Sequence, residues 1–304
     1  MNYDDVAAAF LTPPDEAIPE PVVPTSPARR LRDACEPIAT IGWWSRAASV
    51  EFDRLGVDFF SGYVWGRAAA LGDRVETAVV SSAFGVFDTS LLGAVLEEAR
   101  RGVARDDVLA ARERGASQGL RDATGAVPLD RIEESAARLR SALDAVDIAA
   151  RPLFGSLRAL RAPDDPHGAL WRAAELYREH RGDGHLAACL VAGLDQVEMN
   201  VLTELWLGYP VGEYSSTRGF AADRIEQAVS SMVDRGWIDR DRALTDAGRA
   251  VRDDIEQVTD ESQSAVMEEL GDDVESLIGE LAEISASVLA QRAAPADPRK
   301  RAAG

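Results

Sequence analysis

The chain has 304 residues and a formal net charge of −19, with 52 acidic side chains, 33 basic ones and 3 histidines. That length buries a sizeable core and fits two domains or two closely packed lobes. So acidic a protein repels phosphate backbones at long range, which counts against nucleic acid as the main partner unless a local basic surface overcomes the field. Arginine supplies every positive side chain except Lys300, and with abundant Ala, Asp, Gly and Val this is the composition of GC-rich coding. Met1-Asn2-Tyr3-Asp4-Asp5 is not a basic region leading into an apolar segment, and no apolar run approaches a membrane span, so no membrane association and a cytoplasmic location are expected. Cys35 and Cys189 match no metal-ligand spacing and are expected to be reduced, buried thiols.

Residues 3 to 11 are compatible with a short amphipathic helix carrying Val6, Phe10 and Leu11. Pro13 to Pro27 holds six prolines, so residues 1–27 are expected to form a flexible arm that contributes little to stability. From Ala28 the pattern is helical. Leu31, Ala34, Cys35 and Ile38 recur at helical spacing, with Pro37 and then Gly42 closing the segment. Ser45 is placed to cap a second helix, which Gly56 ends. Further helices are expected near 60–70, 73–84, 88–101, 104–123, 128–161 and 167–181, making 28–195 an α-helical bundle. In Gly62 to Gly72 small residues alternate with Tyr63 and Trp65. Close helix packing accounts for this pattern, while an aromatic cleft with Arg67 at its mouth suits a planar anionic ligand.

Between Glu198 and Glu256 the expected order is helix, turn, helix, two short strands and helix, the order of a winged helix-turn-helix. Val229-Ser230-Ser231-Met232-Val233-Asp234-Arg235-Gly236-Trp237-Ile238, followed by Leu244-Thr245-Asp246-Ala247-Gly248-Arg249, resembles the recognition helix, wing and following helix of MarR-like proteins. With Gly62–Gly72 and Leu170–Leu194, the whole resembles a family of actinobacterial helix-turn-helix proteins. The resemblance implies a mainly α fold: a helical N-terminal bundle, a MarR-like winged helix with a short two-stranded wing plus a C-terminal helix over 196–292, and a disordered tail over 293–304. It also implies DNA contact through Arg218, Arg224, Gln227, Arg240 and Arg242. Charge argues for weak contact at most, because 198–256 carries twelve acidic and seven basic side chains.

Arg178-Glu179-His180-Arg181-Gly182-Asp183-Gly184-His185 gathers two of the three histidines beside four other charges. The Gly-Asp-Gly sequence reads as a tight turn aiming polar groups at one place. Tyr63, Trp65, Arg67, Arg178, Glu179, His180, Asp183 and His185 are therefore candidate ligand-binding residues, with His180, Asp183 and His185 on the wall of a pocket. A structural network of arginines and carboxylates fits the same residues. His180 and His185 are five apart, a spacing that does not pair them on a straight helix, and no metal site is expected. No phosphate-cradling loop, dinucleotide fingerprint or paired-cysteine site is present, so no cofactor is expected. No catalytic residue is assigned, and whether the chain is an enzyme is left open. Three functions fit. The first is a transcriptional regulator responding to a small-molecule ligand. The second is an enzyme or ligand-binding protein on a repurposed winged-helix scaffold, with little or no DNA binding. The third is a protein-interaction module, a homodimer assembled through the winged helix and the last helix, near 273–292.

Overall fold

The computed structural model describes residues 2–14 and 18–303. A one-turn helix, α1 (Tyr3–Val6), continues as a π-helical turn over Ala7–Leu11. Then follow α2 (Pro27–Trp44), α3 (Arg46–Arg54), α4 (Phe59–Ala68), α5 (Thr77–Phe84), α6 (Thr89–Gly102), α7 (Arg105–Ala123), α8 (Leu129–Ala145) and α9 (Pro152–Arg158). The central helix is α10 (Pro166–Val191). After it come α11 (Gln196–Trp206), α12 (Ala222–Asp234), α13 (Asp246–Glu261), α14 (Ser264–Leu270), α15 (Val274–Ala290) and α16 (Pro298–Ala303). The mainly α expectation holds. No single helix among the described residues is long and apolar enough to cross a membrane.

Helix starts follow local chemistry. The Ser26 side chain accepts from Arg29 N–H with Pro27 in the first turn, and the Ser45 side chain accepts from Ala48 N–H to start α3. Pro37 does not end α2, which runs on to Trp44. Proline removes one backbone donor, but α2 is packed on nearly every side, and Leu31, Cys35, Ile38 and Ile41 are wholly buried. Tertiary packing therefore outweighs the local penalty. The segment expected at 128–161 is two helices, broken before Pro152 by Ala150 at φ 56°.

The main core lies between α2, α8, α10 and α15, where Leu31, Ile38, Leu139, Trp171, Leu281 and Ile284 meet. Trp171 donates to the Ala39 carbonyl at 3.1 Å and Tyr177 to the Ala28 carbonyl at 2.9 Å, satisfying both buried polar tips. A second core gathers Phe52, Val64, Trp65, Phe84, Phe87 and Leu92. A third joins α11, α12 and α13 through Val201, Leu202, Ile225, Met232 and Ile255, and includes Ala188 and Cys189 from the end of α10. One helix thus serves the bundle and the helix-turn-helix segment together. The apolar face of α15 is spent inside the bundle, so 274–290 packs with α2 and not as an appendage of 196–261.

Three expectations need correction. The two-stranded wing does not form: a single antiparallel bridge, Ile238 to Leu244, stands alone. The Asp239 side chain accepts from Asp241 and Ala243 N–H, 2.9 Å each, closing a local turn, and Thr245 already caps α13. No residues remain on either side to extend a ladder. The 178–185 stretch is not a turn but an uninterrupted part of α10. The arm and tail are also placed against the body. Val6 and Leu11 are buried, Phe10 packs on Trp44, Ala296 N–H donates to the Phe10 carbonyl at 2.8 Å, and 298–303 forms α16. Apolar residues spaced within the arm supply the contacts that its prolines cannot.

At the α3–α7 crossing a Cβ added to Gly115 would lie 2.6 Å from Ala48 Cα. In an exposed helix Gly→Ala gains about 1 kcal/mol, but here the neighbour is backbone and cannot yield. Gly115→Ala is therefore expected to destabilise the fold by about 1–3 kcal/mol in urea unfolding.

Candidate functional site

The continuity of α10 sets the geometry of the site. Residues 178, 182 and 185 follow one stripe of the helix and 179, 183 and 186 another, at the spacings that share a face. Together they form one wall of a cavity of about 110 Å³. Helix α4 contributes Tyr63 and Arg67, one turn apart; α2 contributes Arg29 and Arg32; α13 contributes Arg252 and Glu256. Arg218, at the end of a 3₁₀ turn over Ser215–Arg218, completes the lining from the helix-turn-helix side.

Buried ion pairs hold this wall together. Glu179 takes Arg67 at 2.9 Å through both carboxylate oxygens and Arg178 at 2.8 Å, while Arg178 also reaches Glu36 at 2.9 Å. Arg67 Nη1 donates to the Tyr63 hydroxyl at 3.0 Å. Glu256 accepts from Arg29 at 3.0 Å, from Arg181 at 2.7 Å and from Arg252. Burial pushes the Glu256 carboxyl up, but Arg252, Arg181, His185 and Arg29 outweigh it and hold it well below the usual range. Glu179 likewise stays ionised, with burial outweighed by Arg67 and Arg178. Seven arginines and three carboxylates, with one histidine, line the cavity of an otherwise strongly acidic protein. Nε of Arg181 and Nε of Arg252 are buried without a hydrogen-bond partner. Such donors favour an anion there.

The histidines part company. His180 turns away from the cavity, with Nδ1 at 2.7 Å from Gln263 Oε1 and its ring edge-on to Phe154 at 4.7 Å. His185 lines the cavity, with Nδ1 at 3.1 Å from Thr259 Oγ1. Burial lowers His180 to about 4 and His185, with help from Arg252, to about 3, so both are neutral near pH 7. No group of three His, Cys, Asp or Glu side chains among the described residues is placed to hold a metal ion. Asp183 lines the cavity and accepts from Phe154 N–H at 3.0 Å through Oδ2, while Oδ1 has no hydrogen-bond partner. Burial raises it to about 7.

The cavity therefore brings together Tyr63, Arg67, Arg178, Glu179, Asp183 and His185 of the candidate set. Trp65 lies elsewhere, donating to the Val103 carbonyl at 3.2 Å beneath Arg100. Arg29, Arg32, Arg252 and Glu256 were not singled out by sequence, and Arg181 only as a member of the 178–185 stretch and its structural network. Their signal is charge on an apolar stripe: Arg29 and Arg32 flank Leu31 on a helix that is apolar on its other sides as well.

The DNA-facing candidates divide too. Arg218 is turned inward, its guanidinium between the rings of Phe87 at 4.7 Å and Tyr214 at 4.5 Å. Arg242 is spent on Glu226 in a two-point pair at 2.9 and 2.6 Å. Arg224, Gln227 and Arg240 remain exposed, in company with Asp223, Glu226 and Asp234. Residues 85–88 touch the segment from α11 to α12. Phe87 O accepts from Gln196 at 2.6 Å, and Asp88 N–H donates to the Arg218 carbonyl at 2.9 Å.

Asp183 makes the electrostatics testable. With a folded value of about 7 against the ordinary 3.8, its contribution to stability is complete below pH 3.8 and is lost as pH rises to 7. Asp183→Asn keeps an acceptor for Phe154 and removes the charge. The variant is expected to be more stable than the parent at pH 8 by about 1–3 kcal/mol, with the advantage gone at pH 4. Urea unfolding at both pH values checks this.

No curated protein and no solved structure matches the chain. Its sequence matches the profile described as a helix-turn-helix family over residues 28–295. With that match spanning most of its length, the chain belongs to the helix-turn-helix family.

Proposed function

We propose that this chain is a cytoplasmic transcriptional regulator whose DNA contact responds to a small anionic ligand held between its lobes. In this reading 28–195 with 262–292 is the ligand-holding bundle, 196–261 is the DNA-facing module in a MarR-like order of helices, and the arm and tail close over the bundle. One observation carries the proposal: Arg218 lines the cavity, and only Gly219, Phe220 and Ala221 separate it from α12. An anion that engages the inward-turned Arg218 acts directly on the segment from which α12 starts. Differential affinity for two placements of that segment is all that ligand control requires.

The outward face of α12 supports a second reading. Asp223, Glu226 and Asp234 stand there against Arg224, and the pairing with Glu226 neutralises Arg242. A ligand-binding protein or enzyme with little DNA affinity fits that charge. Fluorescence anisotropy with the DNA upstream of the protein's own coding sequence separates the two. The regulator reading expects sequence-selective binding that survives at roughly 150 mM salt and weakens about tenfold or more in Arg224→Ala and Arg240→Ala, since each removes a phosphate donor. Binding confined to low salt and indifferent to sequence favours the second reading.

A further inference from the structure

A second chamber, of about 400 Å³, adjoins the arginine-lined cavity and shares Tyr63, Arg178 and Arg218 with it. Its walls are aromatic. Trp43 and Trp44 come from the end of α2, Phe59, Phe60 and Tyr63 from α4, and Tyr214 from the module side. Trp44 and Phe59 meet at 5.1 Å, and Trp43 and Tyr63 meet edge-on at 5.1 Å. Phe10 of the arm and Lys300 of the tail close it, with the ammonium 4.2 Å from the Phe10 ring centre.

Two cations in this chamber have ring contacts but no ion pair. Arg218 and Lys300 line it, and neither is ion-paired with a carboxylate among the described residues; Glu36, the carboxylate in the lining, is engaged by Arg32 and Arg178. Arg218 donates to the Tyr214 hydroxyl, but its Nε is buried without a partner. Both line the same chamber, and Lys300 is held below the ordinary lysine value by burial first and by the charge of Arg218 second, partly offset by Asp297 and Glu213. Like charges brought together in a partly dry, aromatic space are costly unless an anion joins them.

We propose that this chamber binds a planar aromatic carboxylate, with its ring among Trp43, Trp44, Phe59 and Phe60 and its carboxylate between Arg218 and Lys300. This rests on the preceding reading for the anionic character of the ligand, and it names the class. The volume lies in the range of small-ligand sites and suits one or two fused rings. Aromatic walls stack on such a ring, while the two cations replace the water that its carboxylate gives up. A small hydrated inorganic anion gains nothing from the aromatic walls. An aliphatic acid gains less than a flat ring does.

Isothermal titration of the full chain with 1-naphthoate, 1-naphthamide, hexanoate and inorganic phosphate tests this. Naphthoate is expected to bind at least about tenfold more tightly than each of the other three. Lys300→Gln, on a terminal helix outside the cores, is expected to weaken naphthoate about tenfold and leave naphthamide unchanged. Arg218→Gln is expected to do the same, and the Lys300 variant decides the matter if Arg218→Gln does not fold. No naphthoate binding, equal binding of the amide, equal binding of phosphate or hexanoate, or an unchanged affinity in Lys300→Gln would overturn the proposal. The same titrations with DNA present keep the two readings apart. Naphthoate binding with no effect on DNA affinity overturns ligand control alone. A DNA response to some other anion, with no naphthoate binding, overturns the ligand class alone.

Discussion

Glu256 is the carboxylate on which α2, α10 and α13 converge. It sits on α13 and receives guanidinium groups from Arg29 of α2, Arg181 of α10 and Arg252 of its own helix. Losing any one partner leaves charge in a place with almost no water, and such breakage is much costlier than the net gain from forming the pair. The pairing therefore specifies arrangement more than it adds stability. It holds α13 at one rotation against α10 and so sets where the module begins. The neutral histidine His185 fits this setting, because burial and the positive charges of Arg252, Arg181 and Arg29 disfavour its protonation, and Glu256 only partly offsets them.

Arginine is well matched to this role. Its planar fork bridges two carboxylates at once, as Arg178 does between Glu36 and Glu179. Lysine offers a point charge, and the chain has one lysine in all, Lys300. A surplus of carboxylates on the outside and a concentration of arginines within produce a field that repels anions at a distance and attracts them at the cavity.

The helical architecture was legible in the sequence wherever side chains act locally: Ser45 as a cap, Gly56 as a stop, and apolar periodicity through most of the bundle. It failed where tertiary contacts override local preference. Pro37 and the glycines at 182 and 184 read as breaks, yet α2 and α10 pass through them because both helices are surrounded by packed neighbours. At Gly184 the missing Cβ is needed, since it would fall 2.3 Å from Ser262 Oγ. The candidate cluster Tyr63, Arg67, Glu179, Asp183 and His185 was found for a partly mistaken reason. A turn was expected to make the residues converge, whereas helical spacing on α10 does so. His180, two residues from the cavity-lining Gly182, faces the opposite way for the same reason. Arg218 was expected to contact DNA from the MarR-like resemblance, and the rings of Phe87 and Tyr214 hold it inward. Those rings are distant in sequence, and no local pattern links all three.

The pairing of Arg29 with Glu256 spans 227 residues of chain. The same is true of α2 and α15, which form much of the main core from opposite ends of the sequence. During synthesis α2 therefore emerges long before the helices that cover it, with Leu31, Ile38 and Ile41 unsheltered and Arg29 paired only with Asp33 of its own helix and not yet with Glu256. The later helices cannot complete the core until nearly the whole polypeptide has left the ribosome. Such a chain spends its early life as an incomplete bundle open to self-association. Its acidity then has a use unrelated to any ligand, because mutual repulsion keeps neighbouring nascent chains apart while that exposed helix waits.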